Sequence, residues 1–176
     1  MNTKSQQYQT GSLRHYACPK EHHQHSLTEL LANVSRICLE KGLRLTQVRK
    51  QVLTLIWQAQ SPIGAYALLE ALQHYQANAK PPTIYRALDF LLDHQFIHRI
   101  NSLNAYIACA HPEHTHSAYF FICKHCNSSF EISHFALDQA IEQAVQNFGC
   151  KVEDKMIEVT GLCKACTLKP DSKPSR

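Results

Sequence analysis

KPPTIYRALDFLLDHQFIHRINSLNAYIA, residues 80–108, is the stretch on which the fold turns. It opens with Pro81-Pro82, and proline suits the first turn of a helix, where its missing N–H has no partner to lose. At 100° per residue Ile84, Ala87, Leu88, Leu91, Leu92 and Gln95 fall on one side. Pro82, Arg86, Asp89 and Asp93 fall on the other, with Tyr85 at its edge. Such a helix buries one face and turns Tyr85 and Arg86 outward. Two short apolar-rich segments follow, 96–101 and 104–108, and Ser102-Leu103 between them predicts a hairpin turn.

Working upstream, Ser26 stands as an N-cap before Leu27, Leu30, Leu31, Val34, Ile37 and Cys38, which recur at helical steps until Gly42. Thr46 caps a second helix with Val48, Val52, Leu55, Ile56 and Ala59 on one face. Ser61-Pro62 and Gly64 mark a turn, and a third helix covers about 65–75. Helices followed by a hairpin make a winged helix-turn-helix, with the helix from Pro81 as the recognition element. Arginine there can donate to guanine or a phosphate, and tyrosine can pack on a thymine methyl. Winged helices also serve as protein contacts, so patterning alone leaves DNA binding open.

Downstream the character changes. Segments 118–124 and 128–133 are rich in aromatic and β-branched residues, 137–148 reads as a helix, and 151–160 as a third strand. This α+β unit of about 60 residues has a thin core, the kind that a metal staple stabilises. Cys123-x-x-Cys126 and Cys163-x-x-Cys166 each stand at a strand end. Two such pairs supply the four soft ligands of a closed tetrahedral zinc site, which has no open position for catalysis. A second group lies between the halves: His98, Cys109, His111, His114, His116 and Glu131. Ligands drawn from it would tie the wing to the C-terminal unit.

Composition sets the frame. No apolar run approaches the roughly 18 residues of a membrane span, and the polar N-terminus lacks the apolar stretch of a signal peptide, so the reading is cytoplasmic. In a reducing compartment eight cysteines and twelve histidines point to metal rather than disulfides. Residues 26–108 carry eight Lys/Arg against five Asp/Glu, a net +3 that permits nucleic-acid binding without demanding it. The expected organisation is a flexible tail at 1–25, a winged-helix domain at 26–108, a zinc-binding domain at 109–168 and a short tail at 169–176. Cys18, His22, His23 and His25 in the first tail, or His111 and His114, are further possible ligands.

The sequence resembles the ferric uptake regulator family, and specifically its zinc uptake regulator branch. The resemblance rests on RLTQVRKQVL at 44–53, KPPTIYRALDFLLDHQFIHRI at 80–100, YIAC at 106–109, THSAYFFICKHC at 115–126 and GLCKAC at 161–166, in order and at compatible spacing. It implies a homodimeric, zinc-responsive repressor whose winged helix binds double-stranded operator DNA and whose α+β domain dimerises. It implies two zinc ions per chain, a structural one on Cys123, Cys126, Cys163 and Cys166 and a sensing one on His98, Cys109, His116 and Glu131. Tyr66, Tyr85 and Arg86 carry over as DNA-reading positions, and no membrane or small-molecule substrate is expected. A cysteine at 109 favours the zinc branch, since a thiolate prefers the softer ion. The alternatives are an iron- or peroxide-sensing repressor of the same family and a zinc-dependent hydrolase. The hydrolase lacks any HExxH or comparable motif in this chain.

Overall fold

The computed structural model describes residues 26–59, 61–113, 116–132, 135–153 and 155–168. The two expected tails, with Cys18, His22, His23 and His25, lie outside these residues, as does His114. Among the described residues no helix is long and apolar enough to cross a membrane. The architecture is α+β: a helical unit closed by a small sheet, followed by a second sheet with its own helix.

Helix α1 (Leu27–Glu40) starts at Ser26, whose hydroxyl accepts from the Glu29 amide at 3.2 Å while the Glu29 carboxylate accepts from the Ser26 amide at 2.6 Å. This reciprocal cap satisfies two otherwise orphaned donors. Gly42, at φ +64°, closes the helix in a conformation that costs other residues strain. Helix α2 (Gln47–Gln58) is capped by Thr46. Helix α3 (Ala65–Gln73) and helix α4 (Pro81–Asp93) complete the bundle. Val34, Val52, Leu53, Leu68, Leu72, Ile84, Leu88 and Leu91 are essentially inaccessible at its centre. Each such side chain contributes about 1.5–3 kcal/mol relative to exposure.

Strand β1 (Ile63–Gly64) pairs with β3 (Ala105–Ala108), which pairs with β2 (Ile97–Ile100), all antiparallel. The turn expected from Ser61-Pro62 and Gly64 thus contains a strand, since two residues are too few for a strand pattern to show. The wing turn also differs from expectation. The pairing Ile100↔Ala105 leaves four residues, 101–104, in the loop, not Ser102-Leu103 alone. Asn104 takes φ +45° there, which asparagine tolerates, and donates its amide to the Asn101 carbonyl.

In the second sheet β4 (Ala118–Cys123) lies between β5 (Ser129–Ile132), antiparallel to it, and β6 (Met156–Gly161), parallel to it. A parallel neighbour needs a crossover, which α5 (Phe135–Gln146) supplies. Strand β6 begins five residues later than the pattern at 151 suggested, and a short helix α6 (Lys164–Thr167), absent from the sequence reading, follows Cys163. The two units meet through a second small core. Ile100 from the wing is buried against Phe120 and Ile122 of β4, with Leu103, Ile107 and Ala118 around them.

Candidate metal centres

Strand register builds the four-cysteine group. Cys123 ends β4 opposite Gly161, which ends β6, so the two chain ends leave the sheet side by side. The chain then turns tightly after Cys123, with Asn127 at φ +55° donating its amide to the Cys123 carbonyl. One ligand atom from each of Cys123, Cys126, Cys163 and Cys166 falls within 4.8 Å of all the others. The Cys126 and Cys163 sulfurs are 3.8 Å apart. A regular tetrahedron with Zn–S bonds of about 2.3 Å has sulfur separations of about 3.8 Å, so the donor set fits the ion.

Electrostatics argue the same way. Burial pushes the Cys123 thiol up, but amide hydrogen bonds from Cys163, Cys126 and His125 outweigh it and bring it down to about 6. The Cys163 amide lies 3.3 Å from the Cys123 sulfur. Desolvation and the adjoining Cys163, Cys126 and Cys123 thiols push Cys166 well above the usual thiol range. Four thiolates in this space repel one another, and a divalent cation lets all four ionise. Sequence reasoning missed His125, whose Nδ1 is 3.5 Å from the Cys166 sulfur. Its signal was its place inside the Cys123-x-x-Cys126 spacer, which holds it near whatever the cysteines bind.

The second group joins two ligands from the wing to two from the second sheet. His98 lies on β2, and Cys109 follows β3, its amide donating to the Phe96 carbonyl. His116 precedes β4, and Glu131 lies on β5 opposite Phe120. One donor atom from each of the four lies within 4.8 Å of the rest. His116 Nε2 is 3.7 Å from the Cys109 sulfur and 2.6 Å from Glu131 Oε1. His98 Nε2 is buried with no hydrogen-bond partner, although buried imidazole nitrogens are rarely left so. An ion accepting its lone pair would remove that penalty.

Charge in this group is held in check. Burial lowers the His98 pKa despite the nearby Glu131, so the ring is neutral and ready to ligate. Burial raises the Cys109 thiol, with the His116 hydrogen bond opposing. Burial also works against the Glu131 carboxylate, but the His116 hydrogen bond and both histidines hold it below its usual range. The His111 backbone hydrogen-bonds the Cys109 thiol, but its ring faces solvent and pairs with Glu113 at 3.6 Å, outside the four-donor set.

On the helical unit, Tyr66 of α3 is 79% exposed and Tyr85 of α4 is 43% exposed, with Arg86 also facing solvent. The core face of α4 is wider than its pattern suggested. Phe90 is buried as well, covered by the Arg49 guanidinium 3.6 Å above its ring.

Comparison with known proteins gives one consistent result. The ferric uptake regulator family profile matches residues 40–160. The zinc uptake regulation protein of Escherichia coli (strain K12) is 38% identical over 139 residues, 78% of this chain and 81% of that protein. A solved zinc uptake regulator complexed with zinc and DNA is 35% identical, covers 85% of this chain and 100% of its own, and superposes with a TM-score of 0.81. The crystal structure of holo XcZur is 38% identical, covers 81% and 99% of the respective chains, and gives 0.75.

Proposed function

We propose, from the premise that the chain belongs to the ferric uptake regulator family, that it is a zinc-responsive transcriptional repressor, not an enzyme. It binds operator DNA as a homodimer in the cytoplasm when its sensing site is filled, and so controls zinc-uptake genes. Residues 26–108 form the DNA-binding domain and 109–168 the dimerisation domain. The observation that carries this reading is the buried, partnerless His98 Nε2 beside Cys109, His116 and Glu131, drawn from both sides of the junction.

Two zinc ions per chain follow from the two donor sets. Cys123, Cys126, Cys163 and Cys166 form a closed set whose binding energy becomes folding energy for the second sheet. His98, Cys109, His116 and Glu131 form the sensing set. Zinc bound there supplies the ligand bonds that join wing to sheet. The residues do the rest. Glu131 and the Cys109 thiolate together offset the ion's charge, and Phe120, 5.6 Å from the His98 ring centroid, shields the site from water. Once His98 and Cys109 are held against β4 and β5, the wing can no longer reorient, and both recognition helices of a dimer are fixed for successive grooves. Taking such an equilibrium from 1:99 to 99:1 requires about 5.5 kcal/mol of differential binding.

Tyr66, Tyr85 and Arg86 are the DNA-facing residues, in keeping with their exposure on α3 and α4. Homodimerisation is supported by apolar surface on the second unit: Phe148 is 83% exposed and Val159 nearly half. Exposed apolar area of this kind marks an interface. An iron-sensing relative is less well matched, because the sensing set contains a thiolate and the relatives named for zinc reach 38% identity where those named for iron reach 27%. The test uses a duplex selected from random sequence by the zinc-loaded protein, titrated at buffered free zinc. Affinity that rises with zinc, and is lost in Cys109→Ser, supports the reading; affinity indifferent to zinc overturns it.

A further inference from the structure

The junction between wing and second sheet contains a carboxylate that no zinc role explains. Glu158 lies on β6 in register with Phe120 of β4, and Phe120 is in register with Glu131 of β5. Residues paired across strands share a face, so Glu131, Phe120 and Glu158 form one row. The wing lies along this row. Strand alternation puts His98 and Ile100 on the same face of β2: His98 adjoins Glu131 in the sensing set, and Ile100 packs on Phe120.

At the end of the row, the wing turn meets Glu158. The Asn101 amide donates to Oε1 at 2.6 Å and the Ser102 amide to Oε2 at 3.1 Å. The Asn101 side-chain amide also reaches the Met156 sulfur at 2.7 Å. Two successive backbone N–H groups on one carboxylate form an anion-holding nest with charge-assisted hydrogen bonds. Burial pushes the Glu158 carboxyl up, but the Ser102 side chain and the two amides outweigh it and hold it ionised. Among the described residues the surrounding apolar cluster is small, with Ile100, Phe120 and Ile122 fully buried and Leu103, Ile107 and Ala118 partly so, and these polar contacts add to what closes the junction.

We propose that Glu158 is a positioning residue for the zinc switch: a metal-independent latch that captures the wing turn and sets how much zinc is needed to close the junction. It lies outside both metal-ligating groups. Because β2 carries both His98 and the start of the turn, loosening the turn makes the sensing ligands harder to assemble. The inference rests on the zinc-repressor reading for its purpose, although the latch itself is testable without DNA.

Losing two such bonds at a solvent-accessible site lowers the closed-to-open ratio about ten-fold. For a switch running from about 1:99 to 99:1, that leaves the zinc-saturated state about nine-tenths closed. The effect therefore appears in the zinc requirement. In full-length Glu158→Ala, the midpoint for zinc at the sensing site, measured by competition with a chromophoric chelator, should weaken about ten-fold. Glu158→Gln, which keeps one neutral acceptor, should fall between this variant and wild type. Structural zinc content and dimerisation should not change, and the Asn101 and Ser102 amides should exchange hydrogen faster. An unchanged zinc midpoint or unchanged exchange at these amides overturns the latch. Loss of structural zinc or of the dimer in both variants also overturns it, making Glu158 a folding residue. If wild-type operator affinity ignores zinc while the midpoint and exchange shift as stated, the repressor reading fails and the latch stands.

Discussion

His98 shows how much one side chain can say at the residue scale. A buried ring nitrogen without a partner is an energetic loss unless something else completes it, and its neighbours are a thiol, an imidazole and a carboxylate. Cys109→Ser should therefore remove one of two zinc ions per chain while structural zinc and fold remain, as native mass spectrometry can count. Ligation requires Cys109 as thiolate and frees any proton shared by His116 and Glu131. Burial raises the Cys109 thiol, so protons compete with zinc through the neutral range. Sensing-site affinity should rise with pH from about 6 to 8, and the slope should flatten in Cys109→Ser; calorimetry in buffers of different ionisation enthalpy gives the proton count.

At the element scale, α4 and α5 make contrasting demands. Helix α4 buries one face and exposes Tyr85 and Arg86. Arg86→Ala should weaken operator binding by about 1–3 kcal/mol, and a reduced salt slope would mark a phosphate contact as opposed to a base contact. Helix α5 has no fully buried described side chain and is pinned by Asp138 instead. That carboxylate accepts from the Tyr119 hydroxyl at 2.7 Å and from Lys155 Nζ at 3.0 Å. The Tyr119 and Lys155 hydrogen bonds hold it below its usual value of 3.8. A depressed folded pKa contributes stability above about pH 4 that is lost as pH falls through the folded value. Asp138→Asn should thus be less stable by about 1 kcal/mol at pH 7, discounted for exposure, with the gap closing below pH 4 in denaturant titrations. Legibility followed range. The helices and the Cys-x-x-Cys pairs are readable because their signals repeat within a few residues, and Ser26 is legible as the N-cap that Glu29 completes into a capping box. Strand β1 has two residues, and Glu158 meets Asn101 across 57 positions, so neither leaves a local pattern. Glu131 stood among six candidate ligands from its position alone, and only the family resemblance singled out His98, Cys109, His116 and Glu131, since a lone glutamate on a strand carries no ligand signature.

Across the whole molecule, the four-cysteine group and the mixed group divide the work on the proposed reading. The four-cysteine group closes the strand ends of the second sheet, and the mixed group spans the junction with the wing. Stripping structural zinc with a strong chelator should therefore unfold the second sheet and dissociate the dimer, visible as a halved mass in sedimentation. Emptying only the sensing set should leave a folded dimer with free wings. On the proposed reading, occupancy of His98, Cys109, His116 and Glu131 controls DNA binding. The most direct measurement is operator affinity of the intact dimer across buffered free zinc, with structural zinc retained throughout. The expected result is a rise of about two orders of magnitude as the second ion binds, in keeping with a switch between about 1:99 and 99:1. Equal affinity with the sensing set empty and filled would contradict it.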